Sequence, residues 1–285
     1  ILMITILVTL GFGAIVSLWA DEALPLALVK ENVVCGNISP DGQMILFVLF
    51  NESKSHYELG IHNLGTREDI ILLSADNIAA PRMDPAGKRI TFMGSVKVQG
   101  VMRDGLWVLN SDGSGLKAFP ALIPADVQDG YAFWSPDGSQ IAFTRNGQIW
   151  IAKADGSGTR ILADGGPDSF ALVLDWMDKT LLIARSDSPA SDYRLYLLDL
   201  ETENLTATGL EVMNAIFIDS IETILYGNGP LRIWNVFENK QNRETLPIEP
   251  SFSSFIDFSR SADSSRVLLD AKDEMDTSIN HLYLI

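Results

Sequence analysis

Hydrophobic and polar positions alternate in short bursts along most of the chain. Between Tyr131 and Ala163 the run YAFWSPDGSQIAFTRNGQIWIAKADGSGTRILA holds four apolar segments separated by three turn signals. In Ser135-Pro136-Asp137-Gly138 the proline presets the second turn position and the aspartate suits the third. The glycine takes the left-handed conformation that closes the turn. Ile141-Ala142-Phe143 then alternates as a half-buried strand, and Asn146-Gly147 is a strong signal for a two-residue hairpin. Gln148 to Ala152 forms the next strand around Trp150. After Asp155-Gly156-Ser157-Gly158 a fourth strand runs from Thr159 to Leu162. The pattern predicts a four-stranded antiparallel meander.

The same pattern recurs. Ser39-Pro40-Asp41-Gly42 precedes QMILFVLF, and Asp84-Pro85-Ala86-Gly87 precedes KRITF. The motif then decays, but its frame continues through DWMDKTLLIA, IDSIETILYG and SRSADSSRVLLD. The positions matching the turn glycine are Gly42, Gly87, Gly138, Asp178, Ile221 and Ser264, spaced 45, 51, 40, 43 and 43 residues apart. An aromatic residue recurs in the third strand at Trp107, Trp150, Tyr196, Trp234 and Tyr283. One per unit in the same register predicts packing between units. The first unit departs, with Gly60 where the aromatic would stand.

Repeats of this length with four strands each predict an all-β fold, a six-bladed β-propeller of four-stranded antiparallel blades. One blade cannot bury both its faces, so the blades must pack into a ring. The pattern WSPDG…IAF…IW…DGSG resembles the PD40, or WD40-like, repeats of TolB-type propellers, over roughly Val33 to Ile285. The resemblance implies an extracytoplasmic, non-catalytic interaction module with a protein partner. The last blade runs out of chain before its fourth strand. Ala23 to Lys30 therefore has the expected role of an outer strand beside His281–Ile285, joining the two ends of residues 21–285 into one ring.

Residues 1–20 carry no charge and are followed at once by Asp21 and Glu22. This reads as an N-terminal hydrophobic helix, either a signal-peptide core or a membrane anchor, and it places the propeller in the periplasm or at the cell surface. Membrane contact is expected only through this segment. A net charge of −16 opposes binding to nucleic acid or to anionic lipid. The single cysteine, Cys35, excludes an internal disulfide and reads as a small residue packed in the first blade. Asn37, Asn51 and Asn204 head N-x-S/T triplets.

Catalytic patterns are few. The chain has no G-x-S-x-G nucleophile elbow, no H-E-x-x-H and no C-x-x-C. A propeller lyase or lactonase stands as a third alternative, one that needs a ring of metal ligands beyond the three histidines. The Asp-Gly-Ser-Gly segments lack the alternating ligands of a calcium loop and read as turns. No cofactor, metal or catalytic residue is expected, so the chain reads as a non-enzyme and a monomer.

The a–b and c–d turns are stereotyped and share one face. The b–c connections share the other and vary in length, with long irregular loops expected in blades 1, 2, 4 and 6 and tight Asn-Gly turns in blades 3 and 5. Variable loops on a rigid scaffold are where binding usually sits. The candidate partner-binding residues are His56, Arg103, Asp104, Asp187, Asp192, Asp273 and Asp276. Their acidic balance suits a basic or polar protein segment, and Arg103 suits a carboxylate. The alternative is the gating propeller of an S9-type, prolyl-oligopeptidase-like serine peptidase whose hydrolase domain lies outside these residues.

Overall fold

The computed structural model describes residues 24–25, 27–119, 129–163, 170–186, 192–212, 214–227, 231–235, 244–245, 248–249, 254–272 and 280–284. Residues 1–20, and with them the expected helix, lie outside this set. Among the described residues no helix is long and apolar enough to cross a membrane.

Six four-stranded antiparallel sheets are present. In blade 1, strands a to d are Cys35–Ile38, Met44–Asn51, His56–Asn63 and Asp69–Ala75. In blade 2 they are Asn77–Met83, Arg89–Val98, Val101–Asn110 and Lys117–Phe119. Blade 3 is built from Asp129–Trp134, Gln140–Arg145, Gln148–Lys153 and Arg160–Ala163. Blade 4 follows with Phe170–Met177, Thr180–Ser186, Arg194–Asp199 and Leu205–Glu211. Blade 5 has Ala215–Ile218, Ser220–Tyr226, Arg232–Asn235 and Glu244–Thr245. Blade 6 takes Ser254–Arg260, Val267–Lys272 and Asn280–Leu284 from the end of the chain, and its outer strand, Ala27–Val33, from the beginning.

That outer strand pairs antiparallel with Asn280–Leu284, Ala27 opposite Leu284 and Val33 opposite Asn280. It starts and ends later than the 23–30 expected from sequence. Leu24–Pro25 instead lies parallel to Ile248–Glu249. The seam with blade 1 is fastened by Lys30, whose ammonium bonds Asp69 and lies 4.3 Å from the centre of the Phe47 ring.

Apolar side chains fill the gaps between blades. Trp107 packs between blades 1 and 2, Trp150 against the cluster between blades 2 and 3, Tyr196 between 3 and 4, and Tyr283 between 5 and 6. Each buries a large apolar area at the contact that holds neighbouring blades together. Blade 1 reaches the same density differently. Phe47, fully buried on strand b, occupies the volume over Gly60, so a Cβ at residue 60 would sit within 2.9 Å of both of its Cε atoms.

The Ser-x-Asp turns repeat atom for atom. In blades 1, 3 and 6 the Oγ of Ser39, Ser135 and Ser261 donates to Asp41, Asp137 and Asp263 at 2.6 Å. Each of those carboxylates also accepts the backbone N–H two residues on. These bonds hold all three carboxyls below their ordinary range, Asp263 down to about 2. Asp178 and Ser264 adopt φ of 50° and 55°, filling the left-handed role of the glycine they replace. Blade 5 corrects the sequence frame. Its left-handed turn residue is Asp219, φ 61°, while Ile221 lies inside strand b. Arginines then bind one blade's turn to the next. Arg89 donates to the Gly138 carbonyl at 3.0 Å, and Arg266 donates to that of Gly42.

Candidate functional site

A cavity of about 660 Å³ lies on the ring axis and opens on the turn face. Residues from the innermost strands of all six blades line it, together with the turns that follow most of them. Its apolar wall includes Ile38, Met83, Phe133, Trp134, Trp176 and Ile216, and its charged groups are Arg82, Arg260, Asp175, Asp178, Asp219 and Asp263.

Backbone irregularity aims these charges inward. The innermost strands of blades 2, 4 and 6 shift register between Ala79 and Arg82, between Val173 and Asp175, and between Phe255 and Asp257. A bulge turns a side chain that regular alternation would send elsewhere. Asp175 and Asp257 each accept the N–H of the following residue at 2.8 Å. Asp175 also accepts Phe217 N–H from blade 5 at 3.0 Å and stands 3.5 Å from Arg260 Nε of blade 6. Arg82 pairs with Asp257 and lies 4.9 Å from the centre of the Phe133 ring. With its amide assigned to satisfy both neighbours, Asn37 accepts from Arg82 Nη1 at 3.1 Å and donates to the Ile38 carbonyl at 3.0 Å.

Behind Arg82 lies a second group, in which Cys35 and Tyr131 are half-buried and Asp270 is buried. Burial pushes the thiol of Cys35 and the phenol of Tyr131 up to about 12 each. Desolvation, with Asp257 nearby, drives the Asp270 carboxyl well above the usual carboxylate range. The nearby Gly36 amide acts the other way, but desolvation is the larger effect. Among the described residues no cluster of His, Cys, Asp and Glu is arranged to hold a metal ion.

The residues anticipated on the opposite face are spread out. His56 bonds Glu58 at 3.2 Å on the blade 1 hairpin. Arg103 and Asp104 are exposed on blade 2, with Ser95 donating to Asp104. Asp192 is exposed, and Asp187, Asp273 and Asp276 lie outside the described residues. The blade 2 segment is a hairpin rather than an irregular loop. Strands b and c run ten residues each and close through Gln99 and Gly100, with φ of 51° and 84°. Val96, Val98 and Val101 favour extended backbone, and the two left-handed residues form the mirror-image turn that matches strand twist. Asn146 and Gly147, φ 50° and 73°, close blade 3 in the same way.

The axial residues were missed because repeat frames emphasise turns and aromatics. Their signal was an isolated charge inside an apolar strand, as in FALVLDWM for Asp175 and VLLDAK for Asp270.

No family model matches the chain. A probable dipeptidyl peptidase 4 of Aspergillus flavus is 29% identical over 198 residues, covering 61% of this chain and 24% of that protein. The probable dipeptidyl peptidase 4 of Emericella nidulans is 50% identical over 52 residues, 18% of this chain and 6% of that one. The chain thus spans a quarter or less of the length of these curated relatives. Among solved structures, TolB from Acinetobacter baumannii superposes with a TM-score of 0.60 at 20% identity, over 78% of this chain and 55% of that one. The β-propeller domain of the Trilobed protease from Pyrococcus furiosus gives 0.57 at 15% identity, over 89% and 81%. At these identities the structural likeness defines the fold alone: the chain is a six-bladed β-propeller, a fold it shares with TolB and with the propeller domain of that protease.

Proposed function

We propose that this propeller is the substrate-admitting domain of a serine peptidase of the dipeptidyl-peptidase kind, with the hydrolytic chemistry supplied by an α/β domain outside these residues. The likeness to the two fungal peptidases carries the reading, because it is expressed in sequence and not only in shape. The axial cavity supports it. An apolar wall with a few fixed charges suits an extended peptide, whose backbone and mixed side chains need both. The propeller contributes binding and access, since its residues carry no nucleophile elbow. The test is the full reading frame and its product. A G-x-S-x-G within an α/β pattern, with hydrolysis of dipeptidyl p-nitroanilides by the whole protein and none by residues 21–285 alone, is the expected result. A reading frame without such a domain refutes the proposal.

The second reading is a TolB-like scaffold outside the cytoplasm, anchored or exported through residues 1–20, that holds a protein partner on the b–c face. The paired ten-residue strands of blade 2 favour it, because their hairpin presents Val101, Met102, Arg103 and Asp104, all exposed. Shortening Lys97–Met102 to Asn-Gly should abolish partner capture while substitutions at Ser114 and Ser157 on the turn face leave it intact. The reverse pattern counts against this reading.

A further inference from the structure

Two arginine–aspartate bridges connect blades that are not neighbours. Arg82 of blade 2 reaches past blade 1 to Asp257 of blade 6. Arg260 of blade 6 reaches past blade 5 to Asp175 of blade 4. Both bridges end on one strand, Ser254–Arg260, of the blade that the two ends of the chain complete together. Shorter bonds tie in the blades between. Ile38 N–H donates to Ser259 Oγ at 3.1 Å, Asn37 accepts from Arg82, and Phe217 N–H donates to Asp175. The cavity reaches Arg82 and Asn37, while Cys35, Tyr131 and Asp257 do not line it.

We propose that these two bridges form an internal latch, which clamps blade 6 to the ring and closes the axial channel at mid-depth, and that breaking the Arg82–Asp257 bridge opens a path from the turn-face cavity to Cys35. The pair has the properties of a latch. Arg82 is buried and its guanidinium leans on Phe133, so its charge depends on Asp257 for compensation. Behind it, Cys35 and Tyr131, pushed up to about 12, add no competing anion at neutral pH, and desolvation raises the Asp270 carboxyl well above the usual carboxylate range. Losing one partner of a buried pair leaves the other charge unpaired and strongly favours local opening.

Cys35 is the only cysteine and serves as the reporter in the full 285-residue chain. Its reaction with a small maleimide is compared in the native protein, in Arg82→Met and in Arg160→Met, which removes the same charge from an exposed pair with Glu203. Amide exchange is followed in parallel. By charge alone, removing Arg82 makes the thiol less acidic and its reaction slower, because Arg82 lowers the Cys35 pKa. The latch predicts the opposite: labelling faster by about tenfold or more in Arg82→Met. Exchange should accelerate in Cys35–Ile38 and Ser254–Arg260 and stay unchanged in Thr180–Ser186, and Arg160→Met should match the native protein. Unchanged or slower labelling of a folded Arg82→Met overturns the proposal. So does acceleration spread equally over all blades, or equal acceleration in Arg160→Met. If Arg82→Met does not fold, Arg82→Lys, which keeps the charge but not the forked reach, is judged by the same outcomes.

Discussion

Gly60 and Phe47 should show a reversal of sign in a double-mutant cycle. In the native protein, Gly60→Ala places a methyl group inside contact distance of the Phe47 ring, on a residue whose backbone is not left-handed. The cost is therefore steric, about 1–3 kcal/mol by the usual penalty for overpacking a filled core. Phe47 is fully buried, so Phe47→Ala should cost about 3–5 kcal/mol. With the ring gone, the obstacle to a methyl at residue 60 is gone too. Burying that methyl contributes about 0.8 kcal/mol, and restricting the unfolded chain adds about 0.4–1 kcal/mol. Gly60→Ala should then stabilise the Phe47→Ala protein by about 1–2 kcal/mol, for a coupling of about 2–5 kcal/mol. Urea unfolding followed by tryptophan fluorescence measures all four proteins. In thermal melts each kcal/mol corresponds to about 2–4 °C for a domain of this size. Should Phe47→Ala be too unstable to analyse, Phe47→Leu removes the same far ring atoms. A neutral Gly60→Ala in the native protein, or a penalty of equal size in both backgrounds, refutes the claim that Phe47 substitutes for the missing aromatic.

Acid should act on the turns. Because the folded pKa of Asp263 is depressed to about 2 from 3.8, its contribution to stability is present above the unfolded value and is lost as pH falls through about 2. The melting difference between native protein and Asp263→Asn should accordingly close across that window, and a difference that persists below it contradicts the assignment. Removing residues 1–33 strips the outer strand from blade 6 and exposes the edge of Asn280–Leu284, so the shortened chain should melt earlier and aggregate more readily; an unchanged melt would show that the pairing contributes nothing. In a secretory host that glycosylates, a glycan is expected on Asn204, which is exposed in a turn, and not on Asn37, which is buried and bonded to Arg82. Peptide mass mapping decides between them.

Most of the ring was legible in the chain because its causes are local. A proline, an aspartate and a glycine at fixed offsets make the same turn wherever they occur, as the matching Ser39–Asp41, Ser135–Asp137 and Ser261–Asp263 bonds show. The aromatic in each third strand indicated contact between blades, since a wide apolar ring on a thin sheet must be buried by its neighbour. Where the motif decays, local reading slipped: blade 5 turns at Asp219 and not two residues later, because a single left-handed residue replaces the longer turn. The blade 2 connection looked irregular by length, yet pairing along Ser95–Asp104 makes it a regular hairpin. The axial site was the part only the tertiary structure decided. Arg82 and Asp257 are 175 residues apart, and Asp175 and Arg260 come from separate blades. Neither pair has a spacing that a sequence can encode. Their meeting depends on ring closure, which brings six strand ends to one axis, and on bulges that turn individual side chains inward once neighbouring strands have set the register.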